Sequence, residues 1–232
     1  MNFQNFCEQL AARIAKYDLL CHPFYKAWAA GELTREELRA YAADYYPHVA
    51  AFPEYLGALA SRTVDGGLRG ALLMNRAEEL GAEDPGGRAH EELWLDFAEG
   101  MGAQRKEVRG HTPIPEVQEL IAGFRRVAEE GSAAAALAAF YAYESQVPRV
   151  AREKARGLRD LYGADARACG YFTLHQTADV HHARVWRQQL ERELAANPEA
   201  ESEALDAAEA AAGALWRALD GIEQQRQTRK AA

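Results

Sequence analysis

Ala133-Ala-Ala-Ala-Leu-Ala-Ala-Phe-Tyr-Ala-Tyr143 carries no charge, and Glu144 closes it. The run is of helix-forming type and shorter than the ~20 residues that span a bilayer. A carboxylate on such an apolar helix is expensive to bury unless a cation or hydrogen bonds compensate it. A second stretch supplies donors suited to divalent cations: His175-Gln-Thr-Ala-Asp179-Val-His181-His182. At about 100° per residue, His175, Asp179 and His182 fall within roughly 60° of one another on a helix. The two stretches together point to a metal site inside a helical bundle.

The rest of the chain is consistent with that frame. Alanine, leucine, glutamate and arginine dominate, and alternating runs of strand type are scarce, which is an all-α composition. The 232 residues suit one large domain. A net charge of −8 without a basic cluster argues against nucleic acid as a partner. Only Arg226-Gln-Thr-Arg-Lys230 is basic, so a domain over 1–225 followed by a polar tail, 226–232, is expected. Cys7, Cys21 and Cys169 are odd in number and far apart, which fits a reducing cytosol better than a disulfide scaffold. The N-terminus lacks the basic and apolar regions of a signal peptide. A cytoplasmic protein without a membrane partner is expected.

Periodicity divides the chain into helices. Phe3, Phe6, Leu10, Ile14 and Leu19 share one face, and His22-Pro-Phe-Tyr25 opens a short helix ending near Gly31. Thr34 and Glu37 form a capping-box pattern ahead of a helix with Tyr41, Tyr45 and His48, in which Pro47 and Pro53 should introduce kinks. Helices follow over about 67–80, 88–100 and 115–130. A long one then passes Glu144 and bends at Pro148 on its way to Tyr162. Residues 166–195 carry the histidine motif, and 199–225 form an amphipathic last helix. No internal repeat is present, and the expected architecture is a single-domain bundle of seven to nine helices.

From the residues alone, the ligand set stays open. The Glu-x-x-His of ferritin-like dinuclear sites is missing. In its place stands Asp179-x-x-His182 with His175 one turn earlier, a pattern that serves metal binding and surface capping equally well. His181 lies about 100° off this face. Glu79 and His90 are separated by the breaker Gly81-Ala-Glu-Asp-Pro-Gly-Gly87, so their spacing does not place them on a shared face; a solvated helix end and a helix-start residue are their ordinary readings. Glu79, Glu144 and Asp179 with His90, His175 and His182 would nonetheless make three carboxylates and three imidazoles, a set that suits two divalent ions. The many tyrosines, among them Tyr25, Tyr41, Tyr45, Tyr143 and Tyr171, are by default core residues with bonded hydroxyls. Lys154 is by default a snorkelling surface lysine.

Several longer strings resemble one family. His22-Pro-Phe-Tyr-Lys-Ala-Trp28, Gly31-Glu-Leu-Thr-Arg-Glu-Glu-Leu38, Asp44-Tyr-Tyr-Pro-His48 and Phe52-Pro53 are similar to the early helices of the chlamydial "protein associating with death domains" family. Tyr143-Glu-Ser-Gln-Val-Pro-Arg149, Arg152-Glu-Lys154 and Tyr171 through Arg184 resemble it too. The similarity spans roughly residues 3–195 and weakens in the final helix.

The resemblance implies a haem-oxygenase-like fold, of the TenA and PqqC type, around a dinuclear metal centre of two irons or iron and manganese. Carried over by position, the ligands are Glu79, His90, Glu144, His175, Asp179 and His182. The loop from Gly81 to Ala89 is longer than in the family, which leaves Glu78 as a substitute for Glu79. The implied activity is synthesis of 4-aminobenzoate for folate, with dioxygen and a reductant as co-substrates and the enzyme consuming its own side chains. Tyr25 matches the tyrosine whose ring becomes product and Lys154 the amine donor, while Tyr41 and Tyr143 match tyrosines that relay electrons. Three other readings compete: a multiple-turnover oxygenase of the same fold, a metal-free hydrolase or lyase of the thiamin-salvage type, and a module binding death-type domains. A homodimer is compatible with the sequence, and the electron donor is left unspecified.

Overall fold

A computed structural model describes residues 2–82 and 87–231. Among them every regular element is helical: α1 (Phe3–Ala15), α2 (Pro23–Ala30), α3 (Arg35–Arg62), α4 (Gly66–Glu79), α5 (His90–Gly100), α6 (Arg105–Arg109), α7 (Pro115–Glu130), α8 (Ala133–Glu144), α9 (Val147–Asp160), α10 (Gly170–His175), α11 (Ala178–Ala196) and α12 (Glu201–Ala231), with short 3₁₀ turns at Leu19–Cys21 and Pro198–Ala200. Glu83–Gly86, the centre of the expected breaker, lies outside the described residues.

The charge-free run forms α8, whose residues are buried on nearly every side. A helix without a polar face must be surrounded, and α7, α11 and α12 pack around it. Glu144, its last residue, is 1% exposed. α3 begins with the expected capping box, Thr34 and Glu37 bonding each other's backbone, and runs 28 residues through Pro47 and Pro53 as one helix. Trp94 of α5 donates to the Ala42 carbonyl at 2.8 Å, one turn before Pro47, and ties α5 to α3.

Two expected long helices are each divided, and α6 is added, so the described residues form twelve helical segments where seven to nine were expected. The α8–α9 division falls at Ser145–Gln146, and Pro148 stands in the first turn of the new helix, where its missing N–H costs nothing. The α10–α11 division falls at Gln176–Thr177, between His175 and Asp179. The last helix also extends beyond the expected end of the domain at 225. Arg226 is buried and pairs with Glu223 at 2.7 Å and with Glu37, the capping residue of α3, at 3.6 Å. The expected polar tail is thus helical to Ala231, with Gln227–Ala231 exposed. No helix among the described residues is long and apolar enough to cross a membrane.

Candidate metal centre

α4, α5, α8, α10 and α11 direct six buried polar side chains toward one region. Glu79 on the last turn of α4 is 6% exposed, and His90 opens α5 across the loop. Gly81 brings them together. Its φ of +68° is left-handed, and a Cβ there would stand 2.5 Å from the Arg88 carbonyl carbon. Only glycine lets the returning chain pass this close. His90 Nδ1 ends 2.8 Å from Glu79 Oε2 without hydrogen-bond alignment.

Glu79 belongs to two groups of donors. Glu79, His90 and His175 each bring a ligand atom within 4.8 Å of the others, and so do Glu79, Glu144 and His182. The expected single face of His175, Asp179 and His182 is therefore divided. The break at Thr177 (φ −121°, ψ −40°) lets His175 face α5, its ring 4.6 Å from that of His90, while His182 faces Glu144. Asp179 lies in neither group; its Oδ1 is 3.4 Å from His182 Nδ1, and its buried Oδ2 has no partner. His181 is exposed on the outer side.

Two of the three imidazoles, His175 and His182, have a hydrogen-bond partner on the ring nitrogen away from the other donors. His175 Nδ1 lies 2.7 Å from the Tyr171 carbonyl, which can only accept, so Nδ1 carries a proton and Nε2 is left for the centre. Burial pushes His175 down to about 3. Burial lifts Asp179 to about 7, reinforced by the Glu144 charge. Burial opposes protonation of His182, but its bonds to Asp179 and Glu144 prevail and raise it to about 12. Trp186 Nε1 donates to the second Glu144 oxygen. Three carboxylates packed this way, one with an orphaned oxygen, form a set that a cation would satisfy.

Beyond His175 extends an aromatic cluster. Tyr171 stacks on His175 at 4.0 Å, Trp94 meets Tyr171 edge-on at 4.9 Å, and Tyr45 lies 5.5 Å from Trp94. Tyr41 stacks on Tyr45 at 5.6 Å. At the far end, Lys154 is 5% exposed, with Nζ 2.8 Å from the Tyr25 hydroxyl and 2.5 Å from that of Tyr41. The snorkelling default for Lys154 does not hold, because its head points inward. Burial pushes its ammonium well below the usual lysine range and raises the Tyr25 phenol. Tyr143 lines the same narrow cavity, of about 30 Å³, as Tyr25, Tyr45, Trp94, Lys154 and Tyr171.

The residues from sequence thus fall into two neighbourhoods, the carboxylate–imidazole group and the lysine–phenol group. Sequence reasoning gave Tyr171, Tyr45 and Trp94 no role between them. A helical-spacing signal was present: Tyr171 is four residues before His175, and Tyr45 four after Tyr41. A surface concavity of about 640 Å³ between α7, α8 and α12 contains none of the residues of either neighbourhood.

Residues 39–216 match the family described as iron-containing redox enzymes. The chain belongs to that family, and it is an enzyme. It is 43% identical to a 4-aminobenzoate synthase of Chlamydia trachomatis over 82% of this chain and 80% of that protein. It is 37% identical to a 4-aminobenzoate synthase of Nitrosomonas europaea over 97% of this chain and 93% of that one. A crystal structure from Shewanella denitrificans, described as a domain of unknown function with a heme oxygenase-like fold, superposes with a TM-score of 0.82 at 17% identity, covering 99% of this chain and 95% of that one. The haem-oxygenase-like bundle expected from the sequence is the fold.

Proposed function

We propose that this chain makes 4-aminobenzoate from its own Tyr25 ring, with Lys154 supplying the amino nitrogen. The observation that carries the reading is the Lys154–Tyr25 contact of 2.8 Å inside a cavity of about 30 Å³. Space of that size admits a water-sized molecule but no external aromatic substrate. The ring source is then a residue already in the wall.

The donors present suit two divalent ions, two irons or an iron and a manganese. Glu79, His90 and His175 would hold one; Glu144, His182 and Asp179, with Glu79 shared, would hold the other. Once bound, the pair supplies oxidising equivalents from dioxygen and an external reductant. The protein's own groups do the rest. His175 and Tyr171 begin a row of rings from the centre to Tyr41. Burial disfavours the charged form of the Lys154 amine, which favours the form whose lone pair can meet a carbon of the adjacent ring. The Tyr41 hydroxyl, 3.3 Å from that of Tyr25, helps fix the phenol in place. Tyr143, on the wall between the two neighbourhoods, is a second relay position.

The test is mass spectrometry after loading purified protein with iron, or iron plus manganese, and exposing it to oxygen and a reductant. The expected result is 4-aminobenzoate at no more than one equivalent per chain, with matching losses on the peptides holding Tyr25 and Lys154. Tyr25→Phe and Lys154→Ala should each abolish product and keep metal. Product from the Tyr25→Phe protein would overturn the ring assignment.

A further inference from the structure

Adjacent glutamates end α4 and point to different places. Glu79 is buried and shared by both donor groups; Glu78 belongs to neither, and its side chain is 24% exposed. About 100° of helix rotation separates them, enough to send one carboxylate into the centre and the other past its edge. Glu78 does not reach solvent freely, because its Oε2 is hydrogen-bonded to His182 Nε2. The opposite ring nitrogen, Nδ1, faces inward, 3.4 Å from Asp179 Oδ1 and 3.5 Å from Glu144 Oε1. Carboxylates accept on both sides of the ring, so in the metal-free chain each nitrogen carries a proton: the Nε2 proton faces Glu78 at the rim, and the Nδ1 proton faces Asp179 and Glu144, where a cation would displace it.

We infer that Glu78 is the positioning residue of His182: it holds the Nε2 proton and aims Nδ1 as the metal donor. The inference rests on the metal-centre reading above. A metal-bound histidine commonly gives its other N–H to a carboxylate or carbonyl, which fixes ring rotation and strengthens the donor nitrogen. His175 shows the same device with the nitrogens exchanged, since its Nδ1 is tied to the Tyr171 carbonyl and Nε2 is left free. The two halves of the centre would then use opposite imidazole nitrogens. The exchange follows from where each back partner stands. For His175 it is a carbonyl one turn earlier on the same helix; for His182 it is a side chain from a different helix. The orientation of the His182 ring is therefore sensitive to how α4 packs against α11, and the orientation of the His175 ring is not.

The test uses the full chain and variants Glu78→Ala, Glu78→Gln and His182→Ala, titrated anaerobically with Fe(II) and separately with Zn(II). Zinc serves as a diamagnetic probe for ¹⁵N spectra of the histidines. Glu78→Ala should weaken one of two sites by roughly 10–100-fold and leave the other unchanged. Glu78→Gln keeps an acceptor oxygen and should recover most of that loss. In the zinc-loaded parent the spectra should show His182 bound through Nδ1 and His175 through Nε2. Equal loss in Glu78→Ala and Glu78→Gln, with one equivalent of metal gone, would make Glu78 a ligand and overturn the inference. Nε2 coordination at His182, or unchanged affinity in Glu78→Ala, would overturn it as well. Two equivalents retained by His182→Ala would remove His182 from the ligands and overturn the inference, whereas failure of the parent chain to bind two equivalents would remove the metal-centre reading itself. Glu78 is partly exposed at a helix end, and thermal melts of the metal-free variants check that all fold.

Discussion

The Lys154 side-chain nitrogen lies 2.8 Å from the Tyr25 hydroxyl and 4.2 Å from the centre of its ring, with no carboxylate paired to it among the described residues. A lysine buried among Tyr25, Trp28, Tyr41 and Phe172 destabilises the fold whenever it must be charged outside and neutral inside. Lys154→Met keeps the volume and removes that cost. The variant should therefore be more stable than the parent at pH 7, by about 0.5–2 kcal/mol, the usual gain from relieving a functional strain. The sign with pH is fixed. The folded pKa is depressed below the unfolded value near 10.4, so unfolding takes up a proton between the two, and parent stability rises with pH across that window. The advantage of Lys154→Met should shrink as pH approaches about 10. Urea melts from pH 7 to 10 read it, and a constant difference would contradict the burial of a neutral amine.

Metal loading should stabilise the chain and release protons. In the metal-free state Asp179 is raised to about 7 by burial, and His182 to about 12 by its carboxylate bonds against the opposing effect of burial. Ligands must deprotonate to bind, so affinity should increase with pH and fall steeply below 7, where Asp179 also holds a proton. Calorimetric titration with Fe(II) in buffers of differing ionisation enthalpy measures the protons released. A melting temperature unmoved by saturating metal would count against preferential binding to the folded chain.

Much of this arrangement could be read from the chain, and the exceptions share a cause. The apolar run before Glu144, the Thr34–Glu37 box and the strings around Tyr25 and Lys154 are local patterns, and local patterns survive folding. The division of His175 from Asp179 was not legible, because no glycine or proline marks it. Thr177, with φ −121°, leaves the helical region with neither of those residues to announce it, and just before the break the His175 ring meets that of His90 at the start of α5. Pro148 was visible, but whether a proline bends one helix or begins another depends on what packs beside it. The inward turn of Lys154 also has no local signal; α2 and α3 supply the phenols that meet it.

Glu79 should behave unlike any other member of the centre. Among the described residues it alone joins both donor groups, whereas His90 joins one and Glu144 the other. Glu79→Ala should therefore reduce stoichiometry toward zero, while His90→Ala and Glu144→Ala should each retain close to one equivalent. Metal analysis after desalting distinguishes these cases. Retention of one full equivalent by Glu79→Ala would argue against a shared carboxylate. Glu144→Ala carries an added consequence, since Trp186 loses its acceptor, so its melting temperature should fall more than that of His90→Ala.

Two glycines with left-handed backbone separate strain from function. Gly81 (φ +68°) and Gly102 (φ +93°) both disfavour a side chain, at a cost of about 1–2 kcal/mol on replacement by alanine. Around Gly102 a new Cβ would meet nothing within 4 Å. At Gly81 it would stand 2.5 Å from the Arg88 carbonyl carbon and 2.6 Å from the Ala89 nitrogen, so the strand of chain leading into His90 must shift. Gly102→Ala should lower the melting temperature and leave metal affinity alone. Gly81→Ala should lower both the melting temperature and metal affinity, weakening the site that contains His90 while sparing that of Glu144 and His182. Parallel thermal melts and metal titrations compare them. Equal metal affinity in the two variants would show that His90 is held by α5 alone, independent of the turn that delivers it to Glu79.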